Sequence, residues 1–128
     1  MHTDGGARDN PGIAGIGIVI EDKDGNLIRE ISQYIGEQTN NMAEYKALSR
    51  GLEAALDLGI KKITCYLDSE LVVKQLKGEY GVKNERIISI YNMVMPLIKE
   101  FDDFKIIHVK RELNKKADKL ANKAIDNR

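Results

Sequence analysis

The sequence predicts an α/β fold built on a mixed five-stranded sheet. Three observations carry that expectation. Glycine-studded and alternating apolar segments, separated by turn signals, fill the first third of the chain. Segments of helical spacing then alternate with short apolar runs. The 128 residues suffice for one sizeable core but not two, so the chain reads as a single domain over residues 1–128.

Thr3 opens a glycine-rich turn that runs through Asn10-Pro11-Gly12, so Asp4 is expected to close a short first strand. Ile13 to Ile20 is β-branched and reads as the second strand. Asp24-Gly25 is a hairpin signal, and the alternation from Leu27 to Ile35 gives a third strand paired back on the second. The period then changes. Tyr45, Leu48, Leu52, Ala55 and Leu56 recur at helical spacing. Asn41 is the expected cap of that helix, with Glu44 completing a capping box and Gly59 ending it.

Ile63 to Leu67 is a nearly continuous apolar run, as expected of a buried parallel strand. Ser69 caps a second helix that stops at Gly78. Asn84 caps a third, with Ile87, Tyr91, Val94, Met95 and Ile98 inward and Pro96 expected to kink or shorten it. Met93 and Met95 are expected to fill gaps between helices. Phe104 to Val109 is another strand. Asn114 caps the last helix, where Ala117, Leu120, Ala121 and Ala124 form a stripe of mostly small residues. The order is β-β-β-α-β-α-α-β-α: an antiparallel meander followed by parallel strands with helices on the faces.

Composition narrows the class. A hydrophobic fraction of 42% and a charged fraction of 31% suit a globular chain and exclude a disordered or collagen-like one. No stretch is long and apolar enough to cross a bilayer, and Met-His-Thr-Asp opens no signal region. The lone Cys65 builds neither a disulfide framework nor a thiolate zinc site and reads as a small core side chain. The expected compartment is the reducing cytoplasm. Twenty basic residues balance twenty acidic ones, yet Lys105 to Arg128 holds eight basic against three acidic. A basic end beside an acidic body suits a polyanionic partner, or is simply the wet face of a terminal helix.

Four carboxylates stand out by position. Asp4 closes the first strand, Glu44 lies in the first helix, Asp68 just past the buried strand, and Asp118 in the last helix. Ligands gather at the carboxyl ends of parallel strands, and the two helices can reach that edge. Crowded carboxylates raise one another's pKa, and hard divalent cations relieve the repulsion. Two such ions about 4 Å apart suit in-line displacement at a phosphodiester. Each residue also has a duller reading: Glu44 as a capping-box partner, Asp68 at a helix dipole, Asp118 as a solvated charge, Asp4 as a turn residue.

At these residues the sequence resembles type 1 ribonuclease H. The matching pieces are Thr3-Asp4-Gly5-Gly6 with Asn10-Pro11-Gly12, Thr39-Asn40-Asn41 with Ala43-Glu44-Tyr45, Asp68-Ser69 leading into Leu71-Val72-Val73, and His108-Val109-Lys110-Arg111 with Asn114, Ala117-Asp118 and Leu120-Ala121. They fall in the family's order and cover nearly the whole chain. The resemblance implies the ribonuclease H-like fold. It also implies hydrolysis of the RNA strand of an RNA–DNA hybrid to 5′-phosphate and 3′-hydroxyl ends, with two Mg²⁺ per site during catalysis and Mn²⁺ as an alternative.

Carried over by position, Asp4, Glu44, Asp68 and Asp118 are the implied metal ligands. Gly6, Asn10 and Asn41 are implied contacts to the RNA strand, with Glu70 a weaker one. Thr39 and Asn40 are implied contacts to the DNA strand. No membrane and no obligatory protein partner are implied, and the expected state is a monomer.

Three departures bear on these expectations. Only three residues precede Asp4, so a short first strand or a trimmed start is expected. The connection from Gly78 to Asn84 carries none of the Trp-rich basic extension of many bacterial members, and the chain has no tryptophan, so hybrid affinity should rest on the C-terminal lysines. The loop before Asp118 lacks a histidine. His108 belongs to the strand as a structural residue, and Arg111 or Glu112 takes the loop's role, Arg111 being favoured. Two rival readings are a related nuclease that also cuts double-stranded RNA and an inactive hybrid-binding module of the same fold.

Overall fold

The computed structural model describes all 128 residues. Three antiparallel strands come first: β1 (His2–Ala7), β2 (Gly12–Glu21) and β3 (Leu27–Gln38). There follow α1 (Asn40–Asp57), β4 (Lys62–Leu67), α2 (Glu70–Leu76), α3 (Glu85–Lys99), β5 (Asp103–His108), a single 3₁₀ turn (Arg111–Leu113) and α4 (Lys115–Asp126). The sheet order is β3-β2-β1-β4-β5, with β4 parallel to both β1 and β5. The expected order of elements and the mixed sheet are thus both present. No helix is long and apolar enough to cross a membrane.

β1 departs from expectation. Rather than ending at Asp4, the strand runs on through Gly5 and Gly6 to Ala7, in register with Ile16, Gly15 and Ala14 of β2. Gly5 is glycine for a packing reason: a Cβ there would strike the Ala43 carbonyl of α1. Low strand propensity is overridden because this helix lies directly on the strand backbone.

The two faces of the sheet are packed differently. Ile16, Ile18 and Ile20 of β2 join Tyr45, Leu48 and Leu52 of α1 and Ile87, Ile90 and Val94 of α3 in the main core. Alternate residues Gly15 and Gly17 point the other way and meet Ala117, Ala121 and Ala124 of α4. The small-residue stripe is therefore the seam along which α4 lies on the sheet. Ser32 Oγ adds a hydrogen bond to the Leu120 carbonyl at 2.6 Å. Near the start of β2 the register shifts between Ala14 and Gly15, leaving Ile35 of β3 unpaired beside Gly36 at φ 76°.

Capping follows the sequence at two helices and departs at two. Ser69 Oγ accepts from Val72 N, and Asn84 Oδ1 accepts from Arg86 N and Ile87 N. The cap of α1 is Thr39, whose Oγ1 accepts from Met42 N at 3.2 Å, not Asn41. Asn114 stands at the head of α4 but makes no capping bond. Its side chain is buried and donates from Nδ2 to the Thr3 carbonyl at 2.9 Å. Pro96 does not shorten α3, which continues to Lys99. The carbonyl it leaves unpaired belongs to Asn92, which faces solvent. Met93 is 62% exposed rather than a gap filler, and Ile90 takes the buried position instead. Cys65 is fully buried, and burial pushes its thiol up to about 12, as suits an inert core side chain.

Candidate active site

The site forms where β1 and β4 run side by side at the centre of the sheet. Asp4 lies in the middle of β1 and Asp68 one residue past the end of β4. Glu44 enters from α1. With the cap at Thr39, the third helical residue is Met42, so Glu44 is free of the capping-box role. Instead it is buried against β1, where the Gly5 amide donates to its Oε1 at 3.4 Å. The close approach permitted by Gly5 is what brings Glu44 beside Asp4.

One carboxylate oxygen from each of Asp4, Glu44 and Asp68 lies within 4.8 Å of the others. Burial and the charges of Asp68 and Asp118 push Asp4 up to about 8. Burial, then the charges of Asp4 and Asp68, raise Glu44 well above the usual carboxylate range. Glu44 Oε2 is buried without a hydrogen-bond partner. An all-oxygen set this crowded, with one oxygen orphaned, fits a hard divalent cation. Asp118 lines the same cleft without joining the three-residue cluster. Its Oδ1 lies 3.8 Å from Arg111 Nη2 and accepts from Asn122 Nδ2 at 3.4 Å. The Asn114–Thr3 bond fixes the head of α4, and hence Asp118, against β1.

The cleft measures about 410 Å³ and is lined by Asp4, Gly6, Asn40, Asn41, Glu44, Asp68, Arg111 and Asp118 among others. Of the remaining implied substrate contacts, Asn10 and Thr39 line an adjoining hollow that shares Asn41 with the cleft. Asn10 Oδ1 accepts from Asn40 N at 3.1 Å, and Asn40 Oδ1 accepts from Ala7 N at 2.8 Å. These bonds occupy the two carbonyl oxygens and leave both side-chain amide groups as donors. Glu70 lies outside the cleft, exposed and paired with Lys74 at 2.8 Å. His108 ends β5 but is exposed, so it is not a buried structural histidine. Sequence reasoning missed Arg8, Ser69 and Asn122, all of which line the cleft. Helical spacing from Asp118 to Asn122 could have found the last.

A carboxylate cluster at the centre of a β3-β2-β1-β4-β5 sheet, closed by α4, defines a ribonuclease H-like protein. A family described as reverse transcriptase-like matches residues 2–124. Ribonuclease HI of Halobacterium salinarum is 43% identical over 125 residues, which are 98% of this chain and 63% of that protein. The chain therefore spans somewhat less than two thirds of that relative. The crystal structure of RNase H1 from the same archaeon superposes with a TM-score of 0.97 at 42% identity, covering 99% of this chain and 96% of that one. LC11-RNase H1, isolated from compost and solved in complex with an RNA/DNA hybrid, superposes at 0.94 with 44% identity over 98% of this chain and 95% of that one. The chain belongs to the type 1 ribonuclease H family.

Proposed function

We propose that this protein is a metal-dependent endoribonuclease that cleaves the RNA strand of RNA–DNA hybrids, leaving 5′-phosphate and 3′-hydroxyl ends. The observation that carries this reading is the cluster of Asp4, Glu44 and Asp68, in which Glu44 Oε2 is buried without a partner. A binding module gains nothing from burying unneutralised carboxylates where a phosphate backbone must come. Asp4, Glu44 and Asp68 would hold Mg²⁺, or Mn²⁺ in its place, with Asp118 contributing from α4. When bound, the ions would supply Lewis-acid activation of a water and neutralise charge at the phosphodiester.

The chain's own groups do the rest. Asn41 and the Gly6 amide stand at the cleft wall, positioned for the RNA strand and its 2′-hydroxyls. Asn10, in the adjoining hollow, would meet the same RNA strand, while Thr39 in that hollow and Asn40 in the cleft would meet the DNA strand. All the carboxylates and Arg111 come from one chain, which supports action without an obligatory protein partner.

The test is cleavage of a labelled hybrid in Mg²⁺, beside double-stranded and single-stranded RNA of the same sequence. Hybrid-only cutting, lost with EDTA and in Asp68→Asn, is the expected result. A folded protein that cuts nothing in Mg²⁺ or Mn²⁺ would sink the reading, and equal cutting of double-stranded RNA would sink its specificity.

Arg111 is assigned to the departing or incoming phosphate. Its side chain is 79% exposed and the guanidinium only loosely paired with Asp118, so it is free to reach a phosphate bidentately. A charge-assisted hydrogen bond of about 1.5–3 kcal/mol corresponds to a roughly ten- to hundredfold effect. Arg111→Ala is therefore expected to lower kcat by that factor under saturating substrate. Unchanged turnover would assign Arg111 to an ordinary surface pair.

A further inference from the structure

Arg8 lies in the turn between β1 and β2 and lines the cleft at the opposite end from Arg111. Its Nη2 is held by Asp126 Oδ1 at 2.6 Å and by the Asn122 carbonyl at 3.4 Å. Both contacts fall on the same nitrogen, so the donors on Nη1 and Nε are unspent. The side chain remains 41% exposed and that of Asp126 59%. A pair this exposed contributes little to stability. Fold maintenance alone therefore gives it little work.

Its placement suggests another role. Asp118, Ala121, Asn122 and Ile125 recur at helical spacing and make α4 one wall of the cleft. Arg111 stands at the Asp118 end of that wall and Arg8 at the Asp126 end. Eight residues of helix separate these ends by roughly 12 Å. Arg8 and Arg111 are the only cations among the lining residues, against four carboxylates. Once the carboxylates are neutralised, the two arginines are the positive charges a phosphodiester strand meets there. Two sites roughly 12 Å apart fit phosphates a few nucleotides apart on one strand that follows the wall.

We propose that Arg8 is a phosphate anchor for the nucleic-acid strand, aimed into the cleft by Asp126 and Asn122 and gripping a phosphate a few nucleotides from the scissile one. The proposal rests on the nuclease reading above and adds a positioning residue to it. Asp126 and Asn122 engage Nη2 and leave the Nη1 and Nε hydrogens for charge-assisted single contacts to phosphate oxygens. Asp126 thus limits the conformational freedom that the arginine must lose when substrate arrives.

The test compares Arg8→Ala, Arg8→Lys and Asp126→Asn. Hybrid binding is read in the cleavage-deficient Asp68→Asn background across a salt series, and KM and kcat in the otherwise native protein. Arg8→Ala is expected to raise Kd and KM roughly tenfold, to leave kcat within about twofold, and to flatten the salt dependence of log Kd by about one phosphate contact. Arg8→Lys should recover the salt slope but only part of the affinity. Asp126→Asn should weaken binding less than Arg8→Ala while keeping the native slope, because the charge that meets the phosphate is still there. Unchanged Kd and slope in Arg8→Ala would overturn the proposal. So would matching losses of Tm in Arg8→Ala and Asp126→Asn with binding unaltered, the mark of a purely structural tie. Failure of the native protein to cut a hybrid would fall on the nuclease reading, whereas the binding series decides the role of Arg8.

Discussion

Replacing Asp4 by Asn should abolish hybrid cleavage and, in the absence of metal, make the protein more stable at pH 8. Loss of a charge at the centre of the cluster is expected to lower the rate by at least roughly a hundredfold. The gain in stability follows from the same burial. Asp4 is pushed up to about 8 by desolvation and by the charges of Asp68 and Asp118. In the unfolded chain it titrates near 4. Between those values the folded state binds more protons than the unfolded one, so stability falls as pH rises. The contribution is complete below about pH 4 and lost as pH climbs through about 8. Each pH unit within the window removes up to about 1.4 kcal/mol, and the total is on the order of a few kcal/mol.

An Asn side chain keeps the shape and carries no charge. In EDTA at pH 8, Asp4→Asn should melt at least about 5 °C above the native protein, a gap that narrows markedly by pH 5 and closes near pH 4. Mg²⁺ should raise the Tm of the native protein at pH 8 and do little for the variant, because metal binding is linked to the same deprotonation. Thermal melts at these pH values, with and without Mg²⁺, check all three statements. A native Tm that is flat in pH and indifferent to Mg²⁺ would contradict the metal-site reading.

Much of this was legible in the sequence because local signals and tertiary needs agree. The buried β4 reads directly from its apolar run between Lys62 and Asp68, and Ser69 and Asn84 cap where expected. Legibility failed where a distant partner decides. Gly5 and Gly6 have turn propensity, yet the central strand runs through them to Ala7, and Gly5 gives α1 the side-chain-free backbone it lies on. Asn114 looks like a cap, but its amide goes to Thr3, 111 residues away. The four carboxylates that line the cleft stand out in the sequence through their position at the ends and edges of elements. Arg8 does not, because its meaning depends on Asp126, 118 residues later, and no local pattern announces that pairing.

The second large effect should come from a residue with no chemistry. Gly17 lies on β2 beneath α4, and a Cβ there would strike the Ala117 carbonyl and stand 2.7 Å from the Ala121 amide nitrogen and 2.8 Å from Leu120 Cβ. Two of these are backbone atoms of the helix, which no rotamer change can move. The helix must lift from the sheet, and Asp118 follows Ala117. Overpacking of this kind costs about 3 kcal/mol, so Gly17→Ala should lower the Tm by about 10 °C. The variant should also lose turnover well below its melting temperature, with every carboxylate still in the chain. Gly81→Ala is the control: nothing lies within 4 Å of its added Cβ and its φ is not in the left-handed range. That variant should stay within about 0.5 kcal/mol of the native protein and keep full activity. If Gly17→Ala instead matched Gly81→Ala in both Tm and turnover, the Gly15–Gly17 seam would not be what holds Asp118 at the cleft. If it lost stability but kept turnover at low temperature, the position of Asp118 would be set by the Asn114–Thr3 bond rather than by the packing of α4 on β2.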